Sequence, residues 1–237
     1  MESIRIVKAE SKKDLKKFIL FPWKIYRNDS NWVPPLLMDM KEKLNRNKNP
    51  FFEQAQVDLF LAYKDEKLFG RVAAIHDEQH NEFHKEKIVF FGLYESYNDR
   101  DVAFALMEEV SRWGREKGMD TLRGPVNLSM NDECSFLLEG FNSPPVIMMP
   151  YNPSYYLELM EKCGLIKAKD LYAFFMTRKH KEKDKVQTII EKIKRETSIT
   201  LRTVNLKNVE EEARRIAFIY NDAWKDNWGF VPWTENE

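Results

Sequence analysis

Between Arg123 and Tyr156 lie five of the chain's ten prolines, in Gly124-Pro125, Ser143-Pro144-Pro145 and Met149-Pro150-Tyr151-Asn152-Pro153. Proline fixes φ and has no N–H to donate, so this stretch can hold its groups in place without regular structure. Interleaved with the prolines are Asn127, Asn131, Asp132, Glu133, Tyr155 and Tyr156. Asn, Asp and Tyr offer directed hydrogen bonds, so the segment is expected to be a built loop system that holds polar groups in one geometry, the usual setting of a site. The rest of the chain reads as scaffold.

That scaffold has the means to bury a core. Of its 237 residues, 43% are hydrophobic and 32% charged, enough for one large domain or one and a half smaller ones. The formal net charge is zero and the pI near 6.9, so no global field draws the chain to nucleic acid or anionic lipid; neither is an expected partner. Cys134 and Cys163 form no metal-ligand spacing, the first residues lack the apolar core of a signal peptide, and the longest apolar run, Ile88 to Tyr94, suits a buried strand rather than a membrane span. A cytoplasmic protein with no membrane partner is the expectation.

Periodicity orders the elements. Ile4 to Val7 reads as a short strand, and Ser11 caps a helix to about Tyr26. Val57 to Tyr63 and Leu68 to Ile75 alternate on either side of the charged tetrad Lys64 to Lys67, which predicts a hairpin; Ile88 to Tyr94 is a third, more buried strand. Asn98 or Asp99 caps a helix carrying Val102, Ala103, Leu106, Val110 and Trp113 on one face and ending at Gly118. Pro153 to Cys163 is a helix stopped by Gly164, and Ala168 to Thr177 a further strand. This order predicts an α+β fold with a mixed sheet. Lys179 to Lys185 is almost wholly charged and leads into a helix with Val186, Ile189, Ile190 and Ile193 at helical spacing. Then Leu201 to Val204, a helix through Tyr220 and Asn227-Trp228-Gly229-Phe230-Val231-Pro232 echo Ile4 to Val7 and Asn31-Trp32-Val33-Pro34. We therefore divide the chain into residues 1–178, a connector over 179–197, and the start of an incomplete second copy over 198–237, the alternative being that this tail docks on the first domain.

The element order resembles the GNAT-type N-acetyltransferases. Phe21-Pro22-Trp23, Asn31-Trp32-Val33-Pro34-Pro35, Asn49-Pro50-Phe51-Phe52, Phe90-Phe91-Gly92, Arg123-Gly124-Pro125, Asn131-Asp132-Glu133-Cys134 and Met149-Pro150-Tyr151-Asn152-Pro153 are similar to a group of bacterial GNAT-like proteins with two such halves, here cut after the second half begins. The resemblance implies a splayed mixed sheet with acetyl-CoA in the split between the strand ending at Glu95 and the strand around Leu122 to Leu128. Gly92, Leu93, Tyr94, Asn98, Arg100, Asp101, Asn127 and Asn152 are then candidate acetyl-CoA contacts. Asn131, Asp132, Glu133 and Tyr151 are candidate contacts to the acceptor amine, a small molecule or a peptide. Asx residues after a strand also make turns, the blander reading of the first three.

Two departures bear on that reading. The expected glycine-rich pyrophosphate loop is Ser96-Tyr97-Asn98-Asp99-Arg100-Asp101, with no glycine and two aspartates whose charge opposes a pyrophosphate unless Arg100 offsets it. Four residues before Gly164, where the superfamily often has an acid tyrosine, stands Met160; Tyr155 and Tyr156 lie a turn earlier and would act from another direction. Glu95 is the nearest match to the carboxylate that deprotonates the amine, against the ordinary reading of a solvated strand-end charge. Cys134 has no histidine near it in sequence and is discounted as a nucleophile. His76, His80 and His84 recur every fourth residue, yet sit between strand-like runs and are assigned to a polar loop rather than a metal site. Trp23, Tyr26, Trp32, Phe51 and Phe52 are assigned to the core.

Three functions follow in order. The first is acyl-CoA-dependent N-acylation of an amine, with acetyl-CoA as co-substrate and no metal. The second is a degenerate binding or scaffold half of a tandem protein, and the third a tRNA-dependent aminoacyl transferase, which needs a basic groove that acidic residues interrupt around Lys192, Lys194 and Arg195. A homodimer is open.

Overall fold

In the computed structural model the described residues are 3–175, 183–196 and 202–233. Five strands form one sheet in the order β1 (Ile4–Lys8), β2 (Ala55–Lys64), β3 (Lys67–Asp77), β4 (Ile88–Ser96) and β5 (Thr121–Arg123). The first four are antiparallel and β5 is parallel to β4, so the sheet is mixed and the α+β expectation holds. The β2–β3 hairpin closes where the sequence places it. Asp65 and Glu66 take φ of 47° and 62°, the two positive values that an I′-type turn needs to match strand twist.

Alternation along the strands makes two cores. Phe60, Ala62, Val72, Ala74, Val89 and Phe91 face α5 (Arg100–Glu116) and α6 (Tyr155–Lys162); Leu61, Ala73, Ile75, Ile88 and Phe90 face α1 (Lys12–Leu20) and α3 (Leu37–Lys43). α5 presents the expected face, with Val102, Ala103, Leu106, Val110 and Trp113 buried. Gly118 and Gly164 end their helices at φ of 78° and 84°.

Several expectations are corrected. The first helix stops at Leu20, and Pro22–Ile25 forms a separate turn, α2, because Pro22 cannot donate into the preceding helix. The strand expected over Leu122 to Leu128 is only Thr121–Arg123, cut short by Gly124-Pro125. Residues 168–175 form no strand: Leu171, Tyr172, Phe174 and Phe175 are exposed, and among the described residues no strand lies beside them to complete a ladder, while Met176 and Thr177 fall outside the described residues. His76 belongs to β3 and His80 and His84 to a helix, α4 (Glu78–His84), capped by the Asp77 carboxylate on the His80 N–H at 2.9 Å. The polar-loop assignment fails because this short helix follows its strand without a break. Among the described residues no group of three His, Cys, Asp or Glu is placed to hold a metal, and no helix is long and apolar enough to cross a membrane.

His80 is fully buried against Phe90, its Nε2–H donating to Glu86 at 3.1 Å while Arg123 donates twice to the same carboxylate. That tautomer leaves Nδ1 a bare acceptor without a partner. Burial pushes the His80 pKa down to about 4. Because the folded value lies below the unfolded one, the unfolded chain binds the proton first, and stability is lost as pH falls from about 6.5 through about 4. We expect a loss of about 3 kcal/mol across that window, from 1.36 kcal/mol per pKa unit. Urea unfolding at pH 7 and pH 4 checks it, and His80→Gln should flatten the dependence.

After α7 (Lys183–Glu196), residues 202–204 lie in no strand, and α8 (Val209–Trp224) leads to a docked segment. Lys179 to Glu182, and both proposed boundaries of the connector, fall outside the described residues. His84 Nε2–H donates to the Phe230 carbonyl at 2.7 Å, Phe83 and Phe230 rings meet at 5.4 Å, and Asn131 donates to the Val231 carbonyl at 3.4 Å while accepting from Tyr220 at 2.8 Å. The tail is therefore seated on α4 and the Asn131 loop. Asn31-Trp32, which Asn227-Trp228 echoes in sequence, sits elsewhere, against Tyr26 and Phe141.

Candidate active site

A β-bulge aims the central residue. In β4, Val89 and Phe91 face α5, and strict alternation would put Glu95 on that side. The register against β3 slips between Arg71↔Glu95 and Ala73↔Gly92, and Leu93 stands at φ 47°. The inserted residue reverses the parity: Leu93 joins the α1 core, Tyr94 joins the α5 core, and Glu95 turns to Arg71.

There Glu95 is enclosed by donors from three elements. Tyr26, just after α2, donates to Oε2 at 3.0 Å; Tyr156 of α6 donates to the same oxygen at 2.7 Å; the Arg71 guanidinium lies 3.8 Å from Oε1. Arg71 is buried, donates to the Phe18 carbonyl at 2.6 Å, lies over the Phe18 ring, and has an unpartnered Nε. Burial raises the Glu95 pKa, while Arg71 and then the two phenols pull it back. Burial raises Tyr26 and Tyr156, as does the carboxylate beside them, so both stay protonated donors. The result is a carboxylate held in fixed orientation in a low-dielectric setting, with 13% of its side chain exposed. It can take a proton from a polar group that reaches it.

The structure thus brings together Glu95, Tyr155 and Tyr156: Tyr155 donates to the Ser96 carbonyl at 2.8 Å, and the Ser96 N–H donates to Tyr156 Oη at 2.9 Å. Tyr151 borders them, its ring 6.1 Å from Tyr26 and its hydroxyl donating to Asp29. Tyr26 and Arg71 escape a reading of the sequence. The sequence assigns Tyr26 to the core, and it is buried; its hydroxyl, and the bulge that meets it, carry no local signal.

Other candidates divide. Asn131, Asp132 and Glu133 share no partner with Glu95: they form a turn, with the Asp132 carboxylate accepting from the Ser129 N–H at 3.2 Å and from Lys43 at 2.8 Å. Asn152 is buried with its amide taken up by the Leu137 N–H and the Pro153 carbonyl. Tyr94 is buried and shares a hydrogen bond with Ser96 Oγ. Asn127 accepts from the Leu93 N–H at 2.9 Å, and the chain beside it crosses Gly92, so this part of the expected split is filled by the protein itself. Cys134 is partly buried, and burial raises its thiol, against a nucleophilic role.

No family model matches the chain. Two curated bacterial proteins resemble it over nearly its whole length. It is 33% identical over 228 residues to protein YghO of Escherichia coli K12, covering 96% of this chain and 58% of that protein. It is 33% identical over 238 aligned positions to the bacterial ceramide synthase of Caulobacter vibrioides, covering 99% of this chain and 61% of that protein. The chain therefore spans about three-fifths of the length of these relatives. Among solved structures, an aminoglycoside acetyltransferase from an uncultured soil metagenomic sample, in complex with trehalose, aligns at TM-score 0.44 and 13% identity, covering 74% of this chain and 97% of that one. An aminoglycoside N-acetyltransferase in complex with CoA aligns at 0.42 and 16%, covering 75% and 97%.

The N-terminus of α5 does not fit a pyrophosphate. Asp99 Oδ1 accepts from the Asp101 and Val102 N–H groups, both at 3.1 Å, and Oδ2 accepts from Lys64 at 2.7 Å. A protein carboxylate already holds the amides and the cation that a phosphate would need. Asn98, Arg100 and Asp101 thus surround a capped helix end. Asp99→Ala should cost about 1 kcal/mol, the usual loss of a cap, and at the same time tighten binding of inorganic pyrophosphate. Thermal melting and calorimetry read the two effects, which run in opposite directions.

Proposed function

We propose that the chain is a GNAT-like N-acyltransferase half whose acceptor is a long-chain amine, with Glu95 as the general base. The carrying observation is the bulge-directed Glu95, held by Tyr26, Tyr156 and Arg71. In the reaction the amine nitrogen attacks the carbonyl of an acyl thioester, the C–N bond forms, the nitrogen's proton passes to Glu95 Oε, and the C–S bond breaks to release the CoA thiolate, which takes a proton from solvent as Glu95 returns its own. Tyr26 and Tyr156 orient the carboxylate and stay protonated. The acceptor class is supported by the ceramide synthase relative, since a ceramide is the amide of a fatty acid and a long-chain amino diol.

The test is the acceptor preference. With hexadecanoyl-CoA as donor, thiol release per unit protein should depend on added amine and rise with its chain length. Equal or better rates with peptide or aminoglycoside amines would remove the long-chain reading.

A second reading, a half that no longer takes CoA, is supported by Asp99 on the α5 N-terminus. It expects no calorimetric binding of CoA at millimolar ligand to the 237-residue chain. The first reading expects binding that Asp99→Ala does not abolish, because the donor's phosphates lie elsewhere.

A further inference from the structure

Nearly a third of this chain is charged, yet residues 30–38 and 140–157 contain no Asp, Glu, Lys or Arg. Neither stretch owes that composition to wholesale burial. Leu36 and Met38 are 67% exposed, Val146 71% and Ile147 92%. Solvated loops usually carry charge, and buried ones hide their aliphatics; these do neither.

The two stretches leave a common joint. Asn31 Nδ2 donates to the Phe141 carbonyl at 3.2 Å, Tyr151 donates to Asp29 at 2.8 Å, and Trp32 stacks on Tyr26 at 4.8 Å. Both ends of the loop from Phe141 to Tyr151 are therefore tied to residues 29–31, and its middle, Pro144 to Met149, stands free of the joint. Pro34, Pro35, Pro144, Pro145 and Pro150 stiffen both stretches, so little chain entropy is lost on docking.

We propose that this collar is a lipid-docking surface, which enters the interfacial zone of a bilayer and sets the Glu95 site against it. An uncharged apolar phase is the complement of a surface with exposed Leu, Met, Val and Ile and no charge of its own. Trp32 and Tyr151 at its base are the amphipathic aromatics suited to headgroup depth. In sequence, Lys24, Arg27, Asp29, Asp39 and Lys41 border the first stretch and Glu139 and Glu158 the second, so the margin has little net sign and binding should be insensitive to salt. This docking departs from the sequence-based expectation of no membrane partner and does not depend on the acyltransferase reading.

Flotation of the 237-residue chain with phosphatidylcholine vesicles tests it. The wild-type chain should float with the lipid equally at low and high salt. Leu36→Asp and Ile147→Asp should each weaken binding on the order of tenfold, while Phe104→Asp, an exposed apolar position on α5, should not. Circular dichroism establishes that the variants are folded. Chain left in the lipid-free fraction at millimolar lipid would overturn the proposal, as would undiminished binding by the folded variants. A wild-type dimer that Leu36→Asp or Ile147→Asp dissolves would overturn it too, by showing a second copy on the collar. Turnover of a short, water-soluble amine should be unchanged in these variants, which separates a failure of docking from a failure of catalysis.

Discussion

Glu95→Gln is expected to lower the N-acylation rate by roughly 10²–10³-fold, the usual worth of a positioned general base, while the chain stays folded. Glutamine keeps the shape and still accepts from the Tyr26 and Tyr156 hydroxyls, so Arg71 loses its charge partner but not its neighbours. Both variants take the charge partner from the buried Arg71, and Glu95→Ala is the harsher change because it also leaves the Tyr26 and Tyr156 hydroxyls without their acceptor, a further cost of about 1–3 kcal/mol. Rate against pH separates proton transfer from simple damage. Burial sets the Glu95 pKa above the ordinary glutamate value, so the wild-type rate should fall as pH drops through that raised value and the carboxylate takes up a proton. Tyr26→Phe removes one donor to the carboxylate and should move the acid limb to higher pH. The glutamine variant should lack the limb altogether. A variant with wild-type rate, or with the same acid limb, would take Glu95 out of the chemistry.

Gly92→Ala should be the most damaging small substitution for stability. A Cβ there would lie 1.7 Å from the Val126 carbonyl oxygen and 2.8 Å from its carbon, both backbone atoms of the chain crossing β4. That crossing is tied on both sides, by the Val126 N–H to the Phe91 carbonyl at 2.9 Å and by the Leu93 N–H to Asn127. Relief requires separating β4 from residues 124–128, and Val126 and Leu128 are buried in the α1 core. A loss above about 4 kcal/mol is expected, in the range reserved for strand or core disruption. Chemical denaturation measures it, and soluble chain with an unchanged midpoint would show that the crossing is looser than described. Gly92, a candidate acetyl-CoA contact by resemblance, therefore acts as the clearance for the chain's own backbone.

What could be read in advance was what depends on neighbours in sequence. The alternation of Val57 to Ile75 around a charged tetrad specifies a hairpin because both faces and the turn are local. The α5 spacing and the Asp99 cap are likewise local, and both are found. The Leu93 bulge is not local: leucine gives no sign that it will stand at positive φ, and one inserted residue decides which side of the sheet Glu95 faces. Tyr26 and Arg71 reach Glu95 through that reversal, from 69 residues away in the case of Tyr26. Ala168 to Phe175 shows the opposite failure. Its composition reads as a strand, but composition describes the surface a segment could cover, and a strand also needs a partner edge.

The most direct measurement is product identity. The chain, at micromolar concentration, is incubated with hexadecanoyl-CoA and a long-chain amino diol in mixed micelles, and amide and free thiol are quantified by mass spectrometry. The N-acyl product is expected in large molar excess over protein, with one thiol released per amide formed. Thiol release without amide, or no product above the protein-free blank from folded chain, would contradict it.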